Sequence, residues 1–198
     1  MKVFPETYQR IEQYYRALEG KSEKVPILAQ INEHVVKMYG GQIREAYTNA
    51  AKFVEMNLAI FQYYRIDIPG FYYDIYNIEA EALGQKMNWE TSRMPNIDRS
   101  HPLIQHHSDL DHLRPPDFRK SGRMPFVLEG MRRCYDLGLP VRIRFCSPFS
   151  LAGNVRGIDA FLMDILTEPQ YAHRLLTFLT EEVLVPWVEY QREATGQA

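Results

Sequence analysis

The sequence contains 198 residues, of which 45% are hydrophobic and 24% are charged, and its formal net charge is −2. This composition is typical of a globular protein and excludes a disordered or fibrous chain. The 23 basic and 25 acidic residues are spread along the chain. There is therefore no basic block that would bind nucleic acid. The charges also interrupt the apolar segments, so no run reaches the roughly 20 apolar residues that a membrane span requires.

The first part of the chain alternates between helical and strand-like patterns. Residues 6–18 place apolar side chains three and four positions apart, which predicts a helix. The apolar run 25–29 is followed by polar residues and predicts a buried strand. A helical period over 43–61 predicts one helix of about five turns. The aromatic run 71–76 predicts a second strand, and its one interior charge is Asp74.

The second part begins with a change in composition. Residues 90–122 are rich in proline and histidine, which predicts a long irregular excursion with one helical turn near 108–113. The alternating run 140–146 predicts a third strand, and 147–150 leaves it as a loop. Pro186 is expected to kink the helix that contains it. Helical periods predict helices over 124–135, 158–166 and 171–194.

The order of these elements is typical of an α/β protein in which parallel strands are joined by helical crossovers. Glu79 and Glu81 follow the second predicted strand. If their segment is helical, the two side chains point to nearly opposite sides, so at most one would face a site.

Three pieces of the sequence resemble the uroporphyrinogen decarboxylase superfamily, which includes corrinoid-dependent methyltransferases. They are Val25-Pro26 at the first strand, Asp74-Ile75 before the segment 79–84, and the segment 147–153 after the third strand. The segment 79–84, Glu-Ala-Glu-Ala-Leu-Gly, is especially similar to the methyltransferase branch. The order and spacing of the three pieces fit along nearly the whole chain.

The resemblance implies a (β/α)8 TIM barrel with its chemistry at the carboxyl ends of the strands. A complete barrel needs about 250 residues, and about three barrel strands are predicted here. We therefore expect residues 1–198 to be the N-terminal part of a single barrel domain, with an irregular insertion around 90–122. Its uncovered sheet edges predict a homo-oligomer or a complementing chain.

The resemblance also implies that Asp74 is catalytic, because it matches an aspartate thought to hold the pyrrole NH groups of a tetrapyrrole. A carboxylate suits that task, since it accepts several converging hydrogen bonds. From the residues alone, Asp74 could instead cap the next turn or helix.

Four further residues are predicted to contact substrate: Gln30, His34, Ser147 and Asn154. Gln30 and His34 occupy the positions of the decarboxylase's arginine pair, which would clamp substrate carboxylates, and Asn154 stands in the place of a loop tyrosine. These departures argue against decarboxylation. Gln30 and His34 could line a pocket or cap a helix, and Asn154 could bind a ligand or cap a helix near Gly157.

The preferred function is therefore a corrinoid-dependent methyltransferase-like reaction, with methyl transfer to a thiol or a corrinoid. The alternatives are uroporphyrinogen decarboxylation in porphyrin biosynthesis, and an inactive fragment or partner-binding subunit. In the methyltransferase branch, zinc held by histidine and cysteine activates a thiol. Those ligands lie in the family's C-terminal half, so we expect no cofactor or metal site within this chain, and zinc and a corrinoid in the completed enzyme.

The remaining expectations concern the surroundings of the protein. Cys134 and Cys146 are not in a CxxC pair and are expected to be reduced thiols. The first residues have no apolar core behind a basic end and do not resemble a secretory signal. We therefore expect a cytoplasmic protein whose substrate is a small molecule or a corrinoid protein, with no nucleic-acid or membrane partner.

Overall fold

A computed structural model describes residues 2–196, which form two compact units. Unit 1 consists of the chain up to Tyr73, Glu90–Met94 and Phe126–Arg142. Unit 2 consists of Asp74–Trp89, Pro95–Pro125 and the chain from Ile143 onward.

Unit 1 is built from helices around an aromatic core. Phe53 lies at the centre of this core, and its ring centroid is 5.1 Å from that of Tyr47, 5.2 Å from Phe71 and 5.6 Å from Phe126. Such edge-to-face contacts add to the apolar burial that stabilises the unit. Its helices are α1 (Pro5–Leu18), α2 (Asn32–Tyr39), α3 (Ile43–Thr48), α4 (Ala50–Tyr64) and most of α6 (Met124–Asp136).

The helix predicted over 43–61 is two helices, α3 and α4. The break lies at Asn49, whose backbone is extended and whose Oδ1 accepts a hydrogen bond from the Lys52 N–H at 3.0 Å. Asparagine stabilises a helix start in this way, so a new helix begins where the apolar period alone predicts continuity. The sequence analysis also did not predict α2. Only Val35 and Val36 of that helix are buried, so it has no repeating apolar pattern to detect.

The strand predicted over 25–29 does not form. Ile27 instead pairs with Asp67 alone: its N–H donates to Asp67 Oδ2 at 2.8 Å, and its carbonyl accepts from the Asp67 N–H at 3.2 Å. The Asp67 side chain thus accepts the Ile27 N–H, which in a sheet would donate to a neighbouring strand. Residues 71–74 also have no strand conformation, and a 3₁₀ turn follows them at Ile75–Asn77.

Unit 2 contains the one sheet found among residues 2–196, a short antiparallel pair. Its strands β1 (Met87–Asn88) and β2 (Asn96–Ile97) align Met87 with Ile97. The helices are α5 (Ile78–Leu83), α7 (Pro148–Arg156), α8 (Ile158–Thr167), α9 (Pro169–Thr177) and α10 (Val185–Thr195). Their apolar faces meet in a core that includes Leu151, Phe161 and Leu175, each with no exposed surface.

The third predicted strand, 140–146, is also absent as a strand, and side chains of unit 2 bind the backbone of its last part. The amide of Gln191 accepts from the Arg144 N–H at 3.3 Å and donates to the Arg144 carbonyl at 3.2 Å. The Cys146 N–H donates to Glu79 Oε1 at 3.0 Å. Gln191 and Glu79 thus take backbone hydrogen bonds that a partner strand would otherwise make.

Parallel strands, and with them the predicted portion of a (β/α)8 barrel, are therefore not observed among the described residues. The segment 147–150 is not a loop either, because α7 begins at Pro148. Ser147 is its N-cap, and its Oγ accepts from the Ser150 N–H at 3.2 Å. Serine before proline is a favourable helix start.

The helix predicted over 171–194 exists, but its middle has a different winding. A π-helical segment, Phe178–Leu184, joins α9 to α10 directly before Pro186. Proline has no N–H to donate to the preceding turn, and a π-helical turn is one way to absorb that missing bond. Within residues 2–196, no helix combines the length and apolar character needed to cross a membrane.

The excursion at 90–122 contains strand β2 and a 3₁₀ segment at His107–His112, and the rest of it is mostly irregular. In unit 2 a charged cluster attaches it to the helices. His107 Nε2 lies 2.9 Å from Asp164 Oδ1, and Arg156 Nε donates to Asp164 Oδ2 at 2.7 Å. The His107 ring also stacks on Tyr171, with centroids 4.0 Å apart. The part of the excursion around His107 is thus held by specific contacts, in contrast to a freely solvated loop.

We expect Asp164→Asn to destabilise unit 2 by about 1–3 kcal/mol, because Arg156 and His107 lose a charged acceptor. Burial alone would raise the pKa of Asp164, but hydrogen bonds from Arg156 and His107 outweigh it and lower the pKa. The stabilisation is therefore present at neutral pH and is lost as the pH falls through this lowered pKa. Urea unfolding of both proteins at several pH values measures it, and a constant difference down to strongly acidic pH would contradict the assignment.

Candidate functional site

The predicted catalytic residue, Asp74, is buried in unit 2 and bound by an arginine. Its side chain is 1% exposed. Arg123 Nη1 donates to Asp74 Oδ1 and Nη2 donates to Oδ2, both at 2.6 Å. Asn77 Nδ2 adds a third hydrogen bond, to Oδ2, at 3.0 Å. The two-pronged arginine fork fixes the carboxylate in position as well as in charge.

The same arginine binds a second carboxylate. Arg123 Nε donates to Glu81 Oε2 at 2.6 Å, and the guanidinium carbon lies 5.3 Å from the Trp89 ring centroid. Burial raises the pKa of Glu81, although the charge and the hydrogen bond of Arg123 act in the opposite direction. We refer to Asp74, Glu81 and Arg123 as the arginine cluster. The arrangement is rigid, because Arg123 binds both carboxylates and solvent has little access to the three side chains.

Glu79 lies close to the arginine cluster and has no exposed surface. Its Oε1 accepts the Cys146 N–H, whereas its Oε2 has no completed hydrogen bond to any described residue. Burial raises the pKa of Glu79 to about 7, and the Asp74 carboxylate adds to the increase. The Cys146 N–H and the nearby Trp187 indole favour the charged form and limit the shift. Glu79 therefore titrates in the neutral pH range.

The two predicted substrate-contacting residues of unit 2 lie on α7. Ser147 caps the helix and also donates to Ser150 Oγ at 2.9 Å. Asn154 does not cap α8, which has no side-chain cap at Gly157; its Nδ2 instead donates to the Tyr76 carbonyl at 2.7 Å. Asn154 thus holds α7 against the turn that follows Asp74. Contact of either residue with a substrate stays a prediction.

The other two, Gln30 and His34, lie in unit 1. Gln30 is exposed, and His34 belongs to α2, where its Nε2 lies 2.8 Å from the Tyr64 hydroxyl. Neither is the N-cap of α2, which is Ile31. His34 lines a cleft of about 490 Å³ whose wall also includes Lys37 and Ser92. This cleft has room for a small ligand.

The residues present do not fit a zinc site. Within residues 2–196, no group of three histidine, cysteine or acidic side chains could hold a metal ion. Both cysteines are free and buried, and burial raises the pKa of each thiol to about 12. A metal-binding or nucleophilic cysteine needs a thiolate at neutral pH, which these surroundings disfavour.

Sequence reasoning missed Arg123 and gave Glu79 no role. Arg123 lies 49 residues from Asp74 in the chain, and no periodic pattern connects residues so far apart. Glu79 is fully buried and the Glu81 side chain is 17% exposed, and the expectation that at most one of them faces a site stays a prediction. Gly122 provides a local reason for the arginine cluster: a Cβ there would lie 2.9 Å from the Ala82 nitrogen, so glycine lets this backbone approach α5.

Comparison with known proteins identifies the family. A family model described as uroporphyrinogen decarboxylase (URO-D) matches residues 9–198. The chain belongs to the uroporphyrinogen decarboxylase family. The family resemblance of the sequence is thereby confirmed, and the sequence similarity that follows supports its methyltransferase-like branch.

One similar protein is the methylated-thiol–coenzyme M methyltransferase of Methanosarcina mazei, which is 25% identical over 173 residues. The match covers 84% of this family member and 46% of the relative. A solved structure, a methyltransferase from Methanosarcina mazei, aligns with a TM-score of 0.75 at 20% identity and covers 93% of this chain and 56% of that one. The chain therefore shares its fold with the matching part of this methyltransferase, and it spans about half the length of the relatives it matches.

Proposed function

We propose that the protein takes part in methyl transfer that involves a thiol, with a corrinoid as methyl carrier. The observation that carries this proposal is the similarity to the methylated-thiol–coenzyme M methyltransferase, which extends over 84% of the chain. The fold match to a methyltransferase is consistent with it. As the family resemblance implies, Gln30 and His34 in place of an arginine pair favour this reaction over decarboxylation.

The geometry of Asp74 also favours this choice. In the decarboxylase-like role, its carboxylate would accept hydrogen bonds from the pyrrole NH groups of a substrate. Here both oxygens accept from Arg123, and Oδ2 also accepts from Asn77. A carboxylate with these bonds and 1% exposure has little capacity for further donors. We therefore propose that Asp74 contributes by fixing Arg123 and the start of α5.

The described residues supply a framework for the reaction. The arginine cluster holds α5, Asn154 holds α7 against the turn after Asp74, and Ser147 caps the start of α7. Zinc and a corrinoid stay predictions for the completed enzyme, where zinc would lower the pKa of the accepting thiol. Neither Cys134 nor Cys146 suits that chemistry, since burial raises both pKa values.

A direct assay separates the three candidate functions. The chain, joined to the zinc-bearing half that the resemblance implies, is incubated with methylcobalamin and coenzyme M, and in parallel with uroporphyrinogen. We expect formation of S-methylated coenzyme M above the uncatalysed rate and no release of carbon dioxide. Carbon dioxide release without methyl transfer would support the decarboxylase alternative. Absence of both reactions would contradict a catalytic role and support the partner-binding alternative.

A further inference from the structure

Glu79 lies where three parts of unit 2 meet. It is on α5, its Oε1 binds the backbone of Cys146, and the indole of Trp187 on α10 lies near its carboxyl group. Among the described residues, neither Glu79 Oε2 nor Trp187 Nε1 completes a hydrogen bond, and both side chains have no exposed surface. Unsatisfied buried polar atoms are uncommon and costly. The acceptor on Glu79 and the donor on Trp187 lack a completed hydrogen bond although the two side chains are neighbours. This arrangement suggests that the Glu79 carboxyl group has two hydrogen-bonding states.

The backbone that Glu79 binds leads directly into α7. Gln191 binds the backbone of Arg144, and Glu79 binds the backbone of Cys146. Ser147 follows and caps α7. A change in the hydrogen bond at Cys146 thus acts on the residue that begins a helix of the candidate site.

The other charged groups around Glu79 are already paired or exposed. The charge of Asp74 raises the pKa of Glu79. Asp74 and Glu81 are both bound to Arg123. On α7, Arg156 pairs with Asp164. The Cys146 thiol is neutral near pH 7 because burial raises its pKa to about 12. On α10, Glu189, Arg192 and Glu193 are exposed, and Tyr190 is half-buried with its hydroxyl bound to Arg119.

We propose that Glu79 is a proton-dependent positioning residue: its carboxylate holds the Cys146 N–H and the Trp187 indole when ionised, and releases the indole and weakens its hold on Cys146 when protonated. The proton state of one buried carboxyl then sets how firmly the segment 143–147 is fixed at the start of α7. The carboxylate accepts charge-assisted hydrogen bonds, which are roughly twice as strong as neutral ones. A pKa of about 7 makes both states accessible at neutral pH. This inference goes beyond the proposed methyl transfer and does not depend on it.

The test uses the two cysteines of the chain as a matched pair. Selective labelling with ¹⁵N-cysteine gives two backbone amide signals, since the sequence contains 2 cysteines. We expect the Cys146 signal to shift between pH 5.5 and 8.5 with a midpoint near 7, whereas Cys134, on α6, stays constant. Glu79→Gln should abolish the shift of Cys146, and Glu81→Gln should retain it.

A Cys146 signal that is constant over this range in the wild-type protein would overturn the proposal. The same conclusion would follow if Cys146 titrated unchanged in Glu79→Gln. If Glu79→Gln does not fold, the ¹³C-carboxyl signal of Glu79 in the wild-type protein gives the midpoint directly, and a midpoint below pH 5.5 would also overturn the proposal.

Discussion

Arg123→Met is expected to destabilise unit 2 by about 3–5 kcal/mol, because it leaves the buried Asp74 carboxylate and the partly buried Glu81 carboxylate without their shared cation. Asp74 would lose both of its guanidinium bonds at 2.6 Å, and Glu81 would lose its bond at 2.6 Å. Methionine retains much of the side-chain volume, so the loss reflects charge more than packing. Urea unfolding followed by circular dichroism measures the change.

Arg174→Met is the matched control. Arg174 and Asp111 are also in unit 2 and are joined over the same 2.6 Å, but their side chains are 62% and 59% exposed. Exposed ion pairs contribute about 0–1 kcal/mol, so this variant should unfold close to the wild-type protein. Equal effects of the two substitutions would show that burial of the arginine cluster does not matter.

The second large effect is a dependence of stability on pH that Glu79 controls. Its pKa is raised from 4.5 to about 7 in the folded protein. A raised pKa means that the folded state binds the proton more tightly, so this stabilisation is complete below pH 4.5 and is lost as the pH rises to about 7. The loss amounts to about 3 kcal/mol, since each pKa unit corresponds to about 1.4 kcal/mol.

Glu79→Gln should remove this part of the pH dependence, since glutamine does not titrate. The quantity to measure is the difference in unfolding free energy between wild type and variant at pH 5, 6, 7 and 8, in which other titrating groups largely cancel. We expect the wild-type protein to lose stability relative to the variant as the pH rises. A difference that stays constant with pH would show that Glu79 has an ordinary pKa.

Helices were predictable from the sequence because their period is local. The patterns over 6–18, 124–135 and 158–166 correspond to α1, α6 and α8 within one or two residues. The start of α7 carried a readable signal as well, since serine before proline favours a helix start. The Asn49 break carried a comparable capping signal within the predicted helix at 43–61.

The strands were not predictable in this way, because a strand exists only where another backbone pairs with it. The apolar runs at 25–29 and 140–146 form no strand, and side chains of Asp67, Gln191 and Glu79 take backbone hydrogen bonds that a neighbouring strand would make. The pairing of Asp74 with Arg123 could not be predicted from the sequence either. Arg123 joins it across 49 residues, and a long-range ion pair leaves no local pattern.

The double-mutant cycle of Asp74→Asn and Arg123→Met tests most directly whether the arginine cluster organises unit 2. Residues that interact through a buried charged pair have coupling energies of about 0.5–3 kcal/mol, whereas independent residues are additive within about 0.5 kcal/mol. We predict that the loss of unfolding free energy in the double variant is smaller than the sum of the losses in the two single variants, by at least about 1 kcal/mol. Additive losses would contradict the bound pair and with it the site described around Asp74.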